Sequence, residues 1–375
     1  HRAQQAFAEA VALDSTFALA WARLAYSTVN GNVFTLIDPA SPATHAIEQS
    51  ARLGTRLPAR QLEFIRAMQN YVLRGQMRGA RATLDSLAAT DRDDLDAREL
   101  LAGIVLYDTG LDSAAGGVRM AASMEHAVQL AREVLDRDPG RQNVHAVLAT
   151  GYALAGGWWL GFRMGLRGES GSFAAMMFRL MAQGPDAVFV PVLRDSLVLV
   201  PAAEFLRLPS AERARVRRLS ADAGMEWVER WLRLGPQDAE AHLWASRLAE
   251  LRDDAPRALR ELAVAESLGV ESTLENLAQR RLALLVRAER LPAAAALADS
   301  LLRSGGLRRA GMDVGLDRGR GYGVAAFLFT RRWADANALL SAMGPLRGGR
   351  PVCEAALAEL SSSSEEVSGA ALRAL

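Results

Sequence analysis

A short pattern recurs along this chain at a fixed distance. Ala258, Leu262, Ala265 and Val270 form a small–large–small–turn series, and Gly224, Val228, Trp231 and Pro236 hold the same places 34 residues earlier, with a bulky Trp at the second small position. Ala46, Ser50, Leu53 and Pro58 stand in the same relation to Ala80, Leu84, Leu87 and Arg92. A second series interleaves with the first, in which a bulky residue is followed by Leu or Ala and then a small or slender one. Phe64 with Ala67 and Met68, Arg98 with Leu101 and Ala102, His145 with Leu148 and Ala149, and His242 with Ala245 and Ser246 carry it. A period of this length means that one supersecondary unit is copied and stacked, because a single copy cannot bury its own apolar face. The match is strongest over 61–94 and 239–272, and it degenerates after 273.

Each half of the unit reads as a helix. In "QLEFIRAMQNYVL" the apolar residues Leu62, Phe64, Ile65, Met68, Tyr71 and Val72 fall at three- and four-residue spacing, one broad stripe of an amphipathic helix. "ARELLAGIVLY", "EHAVQLAREVLDR", "NVHAVLATGYALA", "AGMEWVERWLRL" and "PRALRELAVAESL" repeat the pattern between Asp, Gly or Pro punctuation. Small residues let the two helices of a pair approach, and large ones fill the space to the next pair. "DAVFVPVLRDSLVLV" is the only credible strand candidate, and after "SGSFAAMMFRLMA" it also reads as part of one or two irregular hairpins. These residues and their spacing resemble the tetratricopeptide repeat (TPR). The resemblance implies an all-α, right-handed superhelical solenoid of antiparallel helix pairs, with irregular insertions in the middle. "ALDSTFALAWARLA" and "LPARQLEFIRAMQNYVLRGQMRGARATLDSLAATDRDDLDA" also look like the regions C-terminal to bacterial serine/threonine kinase or transcriptional-regulator domains. That likeness covers about the first 155 residues well and the rest loosely.

The departures set the expected divisions: TPR-like repeats over 1–155, an irregular insertion or degenerate repeats over 156–222, repeats again over 223–304, and a degenerate hairpin with a tail over 305–375. About nine extra residues follow Gly31, and about thirteen surround "DTGLDSAAGG". "LPSAERARVRRLSADAGMEWVERWLRL" opens with a helix-start signal at Pro209 and Ser210. "LRRAGMDVGLDRGRGYG" reads as a turn-rich link, and "YGVAAFLFTRRWADANALLSAM" as one more helical hairpin. "SSSSEEVSGAALRAL" reads as a frayed terminal helix. At the other end, His1–Leu13 has the pattern of a second helix, with Ser15 in the turn, so its first helix is expected upstream of His1. Phe7 and Ala10 are then expected to pack on the helix bearing Trp21 and to leave their other side exposed.

Composition removes several functional classes. The 44 basic residues are all arginine and are balanced by 43 acidic ones, so nothing in the charge calls for a nucleic acid. One cysteine, Cys353, excludes an internal disulfide, and five scattered histidines lack metal-ligand spacing. No apolar run reaches the roughly 18–20 residues of a membrane span. A cytoplasmic location is the expectation, with a targeting or membrane segment upstream of residue 1 left open. "GRGYG" has no preceding strand or P-loop lysine and is read as an inter-helix turn, and "GESGS" is not a nucleophile elbow. "TDRDDLD" lacks the glycine and distal glutamate of a calcium loop and is read as a helix-capping turn. No catalytic, cofactor or metal site is therefore expected. The arginine clusters "ERARVRRLS" and "LRRAG…DRGRG" suit planar anions, although interleaved acids also fit a solvated face.

The TPR resemblance implies a binding groove lined by the first helix of each pair. Carried onto this sequence, its outward positions are Tyr26, Asn30, Gln69, Glu99, Asn143, Arg247 and Glu250. Trp158 and Trp159 are added as core plugs or as an exposed apolar anchor. The expected role is a non-catalytic protein–protein interaction scaffold or sensor holding a peptide or protein, within a larger bacterial signalling protein. A nucleic-acid-binding repeat, or an enzyme site within 156–222, is the alternative.

Overall fold

The computed structural model describes residues 2–30, 42–72, 77–107, 111–114, 117–120, 124–155, 189–193, 197–270, 277–305 and 314–341. Most of the helices fall where the periodicity predicts them. They are α1 (Arg2–Leu13), α2 (Ala18–Asn30), α3 (Pro42–Leu53), α4 (Ala59–Val72), α5 (Met77–Thr90), α6 (Leu95–Tyr107), α7 (Met124–Arg137) and α8 (Gln142–Ala155). After the insertion come α9 (Ala202–Arg207), α10 (Ser210–Leu234), α11 (Ala239–Leu251), α12 (Ala255–Ser267), α13 (Leu277–Arg287), α14 (Leu291–Arg303), α15 (Val314–Phe329) and α16 (Trp333–Ser341). The chain divides into two compact units; the described residues up to Pro236 form the first and those from Gln237 onward the second.

Pairing follows the repeat phase. α2 packs on α3, α4 on α5, α6 on α7 and α8 on α10 in the first unit; α11 packs on α12, α13 on α14 and α15 on α16 in the second. The small residues sit where the helices meet: Ala46, Ala67, Ala80, Ala102, Ala131, Ala245 and Ala258 are all fully buried. The large positions Leu84, Leu101, Leu148, Val228 and Leu262 are fully buried as well, so the period in the sequence is the period of the core. Aspartates start the helices at the turns: Asp94 accepts from the Ala97 amide at 2.9 Å, and Asp238 accepts from the Glu240 and Ala241 amides at 3.0 and 3.1 Å. In the second unit the first helices end on residues in the left-handed region, Asp253 (φ 63°), Glu289 (φ 58°) and Arg331 (φ 59°).

Ion pairs repeat with the same period. Arg60 reaches Asp94 at 2.6 Å across 34 residues, Arg98 reaches Glu133 at 3.0 Å across 35, and Arg287 reaches Asp253 at 2.9 Å across 34. Arg332 meets Asp299 at 2.9 Å across 33. Each is a partly exposed pair contributing about 0–1 kcal/mol, so they fix register more than they add stability.

The insertions are where the helical pattern stops. "DTGLDSAAGG" lies at a short antiparallel hairpin, β1 (Leu111–Ala114) with β2 (Gly117–Met120), between α6 and α7. "DAVFVPVLRDSLVLV" folds as its alternation suggests, into β3 (Phe189–Leu193) paired with β4 (Leu197–Pro201). β3 packs against α8 and α10, and β4 against α7. Thus α8 and α10 are the two helices of one pair although residues 156–209 separate them. The stretch "SGSFAAMMFRLMA" within the irregular insertion and the terminal serine-rich tail lie outside the described residues.

One reading needs correction. The link and turn expected through "GRGYG" is helix, since α15 starts at Val314 and runs unbroken to Phe329. Glycine costs about 1 kcal/mol per helical position, which is why the stretch reads as a break. Burial of the helix's last turns offsets that cost, since Val324, Ala325, Ala326, Phe327 and Leu328 are all buried and anchor the helix. At the other end, α1 packs on α2; Val11 is buried while Phe7 and Ala10 stay half-buried, the one-sided packing expected for them.

Candidate functional site

In the first unit a chain of charged side chains joins three first helices. Arg23 on α2 forms an ion pair with Asp96 in the first turn of α6. Arg141, in the turn leading into α8, bridges Asp96 at 2.7 Å and Glu99 at 2.8 Å, and Asp138 holds its other edge at 3.0 Å. Asn143 donates from Nδ2 to Glu99 at 3.2 Å. The helical spacing of Asp96 and Glu99 puts both carboxylates on one face of α6, within reach of a single guanidinium. Burial pushes the Asp96 carboxyl up, but Arg23 and Arg141 outweigh it and hold it below the usual carboxylate range. Burial likewise opposes the charge on Arg141, and Asp96 and Glu99 overcome it, so the guanidinium stays protonated. An aromatic contact extends the line: Arg23 lies 5.5 Å over the Phe64 ring on α4, and Tyr26 meets that ring edge-on at 6.3 Å.

The second unit has a smaller counterpart. Glu250 on α11 receives Arg280 and Arg287 of α13, each at 2.8 Å, and Arg280 also approaches Ser246 at 3.4 Å. Arg247 stacks on Trp244 with 4.3 Å to the ring centroid.

The positions carried over from the TPR resemblance fare differently. Glu99 and Asn143 come together, with Glu99 buried and Asn143 exposed, and Gln69 is half-buried on α4. Tyr26, Glu99 and Arg247 do not face outward as expected, being 7%, 6% and 2% exposed. Tyr26 is drawn inward by Phe64, and Arg247 by Trp244; both are amphipathic side chains with apolar surface to bury. Glu250 is half-buried between its two arginines. Asn30 closes α2 but its side chain lies outside the described residues, as do Trp158 and Trp159. Arg23, Asp96, Arg141, Arg280 and Arg287 escaped sequence reasoning. The period itself pointed to two of them, since Arg280 and Arg287 stand 34 residues after Ser246 and Asp253.

Among the described residues, no group of three or more His, Cys, Asp or Glu side chains is placed to hold a metal ion, and no helix is long and apolar enough to cross a membrane.

No family model matches the sequence, and no curated protein matches it. Solved structures do. The human IFIT1 dimer with m7Gppp-AAAA is similar at 12% identity, over 96% of this chain and 68% of that one, with a TM-score of 0.50. A monomeric IFIT1 mutant with Gppp-AAAA gives 13% identity, 96% and 67% coverage, and a TM-score of 0.51. TTC0263, a thermophilic TPR protein of Thermus thermophilus, is 14% identical over 69% of this chain and 97% of its own, with a TM-score of 0.38. The periodic core and the helix pairing define the class of fold: an all-α helical repeat of the TPR type. The protein is TPR-like.

Proposed function

We propose that this protein is a non-catalytic interaction scaffold or sensor module that holds a peptide or protein along the first helices of its repeats. The observation that carries the reading is the line Arg23–Asp96–Arg141–Glu99–Asn143. Its members belong to three separate repeats, and Arg23, Asp96 and Arg141 each keep between 23% and 30% of their side chains exposed. Charged groups locked by one another, yet still reachable, offer a ligand donors and acceptors whose ordering entropy is already lost. Balanced signs suit an extended peptide better than a uniform polyanion.

The test is a peptide-library selection on the whole chain, followed by titration of the selected peptides. Asn143→Arg and Gln69→Arg, both on first helices, are expected to weaken binding about tenfold, or 1.4 kcal/mol, with unchanged thermal melting. Selected peptides that bind both variants as tightly as the parent chain would sink the proposal. IFIT1 with m7Gppp-AAAA supports a second reading, nucleic-acid binding. It predicts oligonucleotide affinity that falls steeply with salt, whereas peptide affinity on a mixed-sign surface changes little. The likeness of the first 155 residues to regions C-terminal to bacterial kinase or regulator domains supports a place in a larger signalling protein. A kinase or DNA-binding domain encoded in the same reading frame is the expected finding, and a signal peptide alone would count against it.

A further inference from the structure

Helix α10 is longer than its repeat requires. It runs 25 residues, whereas its counterpart α12, one period later, has 13. α12 starts three residues before Ala258; the same offset from Gly224 places the excess at roughly the first three turns of α10. Contacts locate this excess. His145 meets Trp231, and Ser220 donates to the Tyr152 carbonyl at 2.6 Å, so α8 and α10 run antiparallel. α8 ends at Ala155, three residues beyond Tyr152, and the start of α10 therefore projects past it. Val216 is buried, so the projection is supported on its inner side.

The projection carries an unusual charge. Between residues 207 and 218 stand five arginines and one glutamate, in a chain whose net charge is +1. Arg207, Arg215, Arg217 and Arg218 are exposed, and among the described residues none of the four meets a carboxylate. Six arginines elsewhere tie repeats together, since Arg23, Arg60, Arg98, Arg141, Arg287 and Arg332 all hold carboxylates, and exposed ones such as Arg66 and Arg260 stand singly, not in a cluster. The placement is also unfavourable in itself. Like charges three residues apart on one helix, as in Arg215 and Arg218, repel. Leu219, 45% exposed, sits among them.

We propose that the start of α10, with Arg207 of α9, is a docking surface for an acidic segment of a protein partner. Guanidinium groups clasp the partner's carboxylates in two-pronged hydrogen bonds, and Leu219 receives an apolar side chain between them. The surface is bounded: exposed Asp222 and Glu226 follow directly along the same helix, where a phosphate backbone would be repelled. A short carboxylate-bearing stretch fits that span, and a continuous polyanion does not.

The experiment uses the whole chain and a fluorescent peptide of about twelve residues built from Glu, Asp and Leu, read by anisotropy near physiological salt. The charge-reversed variant R215E/R217E/R218E is expected to weaken binding at least about tenfold. R260E/R303E, on exposed arginines of the second unit, is expected to bind within about twofold of the parent chain. All three positions are exposed, so melting is expected to hold. Should the reversed chain melt lower, R215Q/R217Q/R218Q takes its place, with a loss of several-fold expected. Undetectable peptide binding, equal loss in R260E/R303E, or no loss in either triple variant overturns the proposal. So does tighter binding of a single-stranded oligonucleotide of similar length, which would make this a nucleic-acid surface instead.

Discussion

The pairs α8/α10 and α11/α12 occupy equivalent places in two copies of one repeat, yet they are joined in opposite ways. Residues 252–254 suffice to link α11 to α12, whereas residues 156–209 stand between α8 and α10. Both pairs form, because what joins them lies on their facing surfaces. Each uses a buried serine to reach a backbone carbonyl of the other helix: Ser246 to Ala258 at 2.8 Å and Ser220 to Tyr152 at 2.6 Å. Closing the longer link costs only about 2–3 kcal/mol more, since the entropy of closure grows with the logarithm of length. The α8/α10 surface is correspondingly heavier. Trp231 is almost fully buried where the other pair has Ala265, and Trp227 stands where the other has Glu261.

The largest effect is therefore expected at Trp231. Trp231→Ala removes the bulk of the aromatic contact with His145 and should cost about 3–5 kcal/mol. Ala265→Gly, at the equivalent place in α12, should cost only about 1 kcal/mol, chiefly through helix propensity. Urea unfolding followed by far-ultraviolet circular dichroism measures both. Equal losses would mean that the two surfaces carry equal weight and that the long insertion itself holds α8 to α10.

A smaller contrast concerns the glycines that end the two second helices. Gly235 and Gly269 are one period apart, and the sequence treats them alike. Gly269 adopts φ +78°, in the left-handed region, whereas Gly235 is extended at φ −141°. The cause is the next residue. Pro236 clashes with a helical conformation at the position before it, while Val270 allows the left-handed cap. Gly269→Ala should cost about 1–2 kcal/mol, all of it conformational, since nothing lies within 4 Å of the added carbon. Gly235→Ala should stay within about 0.5 kcal/mol. Thermal melts of the two variants check the pair, and a cost at Gly235 matching that at Gly269 would break the explanation.

These cases show which parts of the molecule were legible in sequence. Helix pairs could be read because stability comes from burying small and large residues at a fixed period, and that period is written in residue type. The stretch around Val190 and Val198 stands out as strand-like, although its place in an irregular insertion left a hairpin of another kind open. What could not be read depends on the partner across an interface. Glu99 and Asn143 were found as a groove position each, but the guanidinium of Arg141 that binds Asp96 and Glu99 comes from a turn 42 residues beyond Glu99. Tyr26 and Arg247 have the residue types of a binding surface and are buried, because Phe64 and Trp244 supply aromatic faces that only the fold brings near. "GRGYG" misled for the same reason: local glycine content argues for a turn, and the buried segment after it decides for helix.

The finest contrast is between two histidines at one repeat position. His242 has the Glu261 carboxylate 2.7 Å from Nδ1. His145 instead lies between Trp227 and Trp231, stacked on the latter at 6.2 Å, and donates from Nε2 to the Pro139 carbonyl at 3.0 Å. Burial lowers the pKa of His145, and the charge of Arg230 adds to it. The backbone carbonyls of Pro139 and Trp227 pull the other way and do not compensate. A histidine whose folded pKa is depressed binds its proton more readily when the chain unfolds. Its contribution is therefore whole above the unfolded value near 6.5 and is lost as pH falls below it. The first unit should lose stability between about pH 7 and pH 5, above the range where Asp96 begins to protonate. His145→Phe keeps the aromatic stack and removes the titration, so its urea midpoint should move less over that interval than the parent's. His242→Phe should leave the His145-dependent slope in place. If His145→Phe and the parent respond identically to acid, proton uptake at this joint is not what distinguishes the two helix pairs.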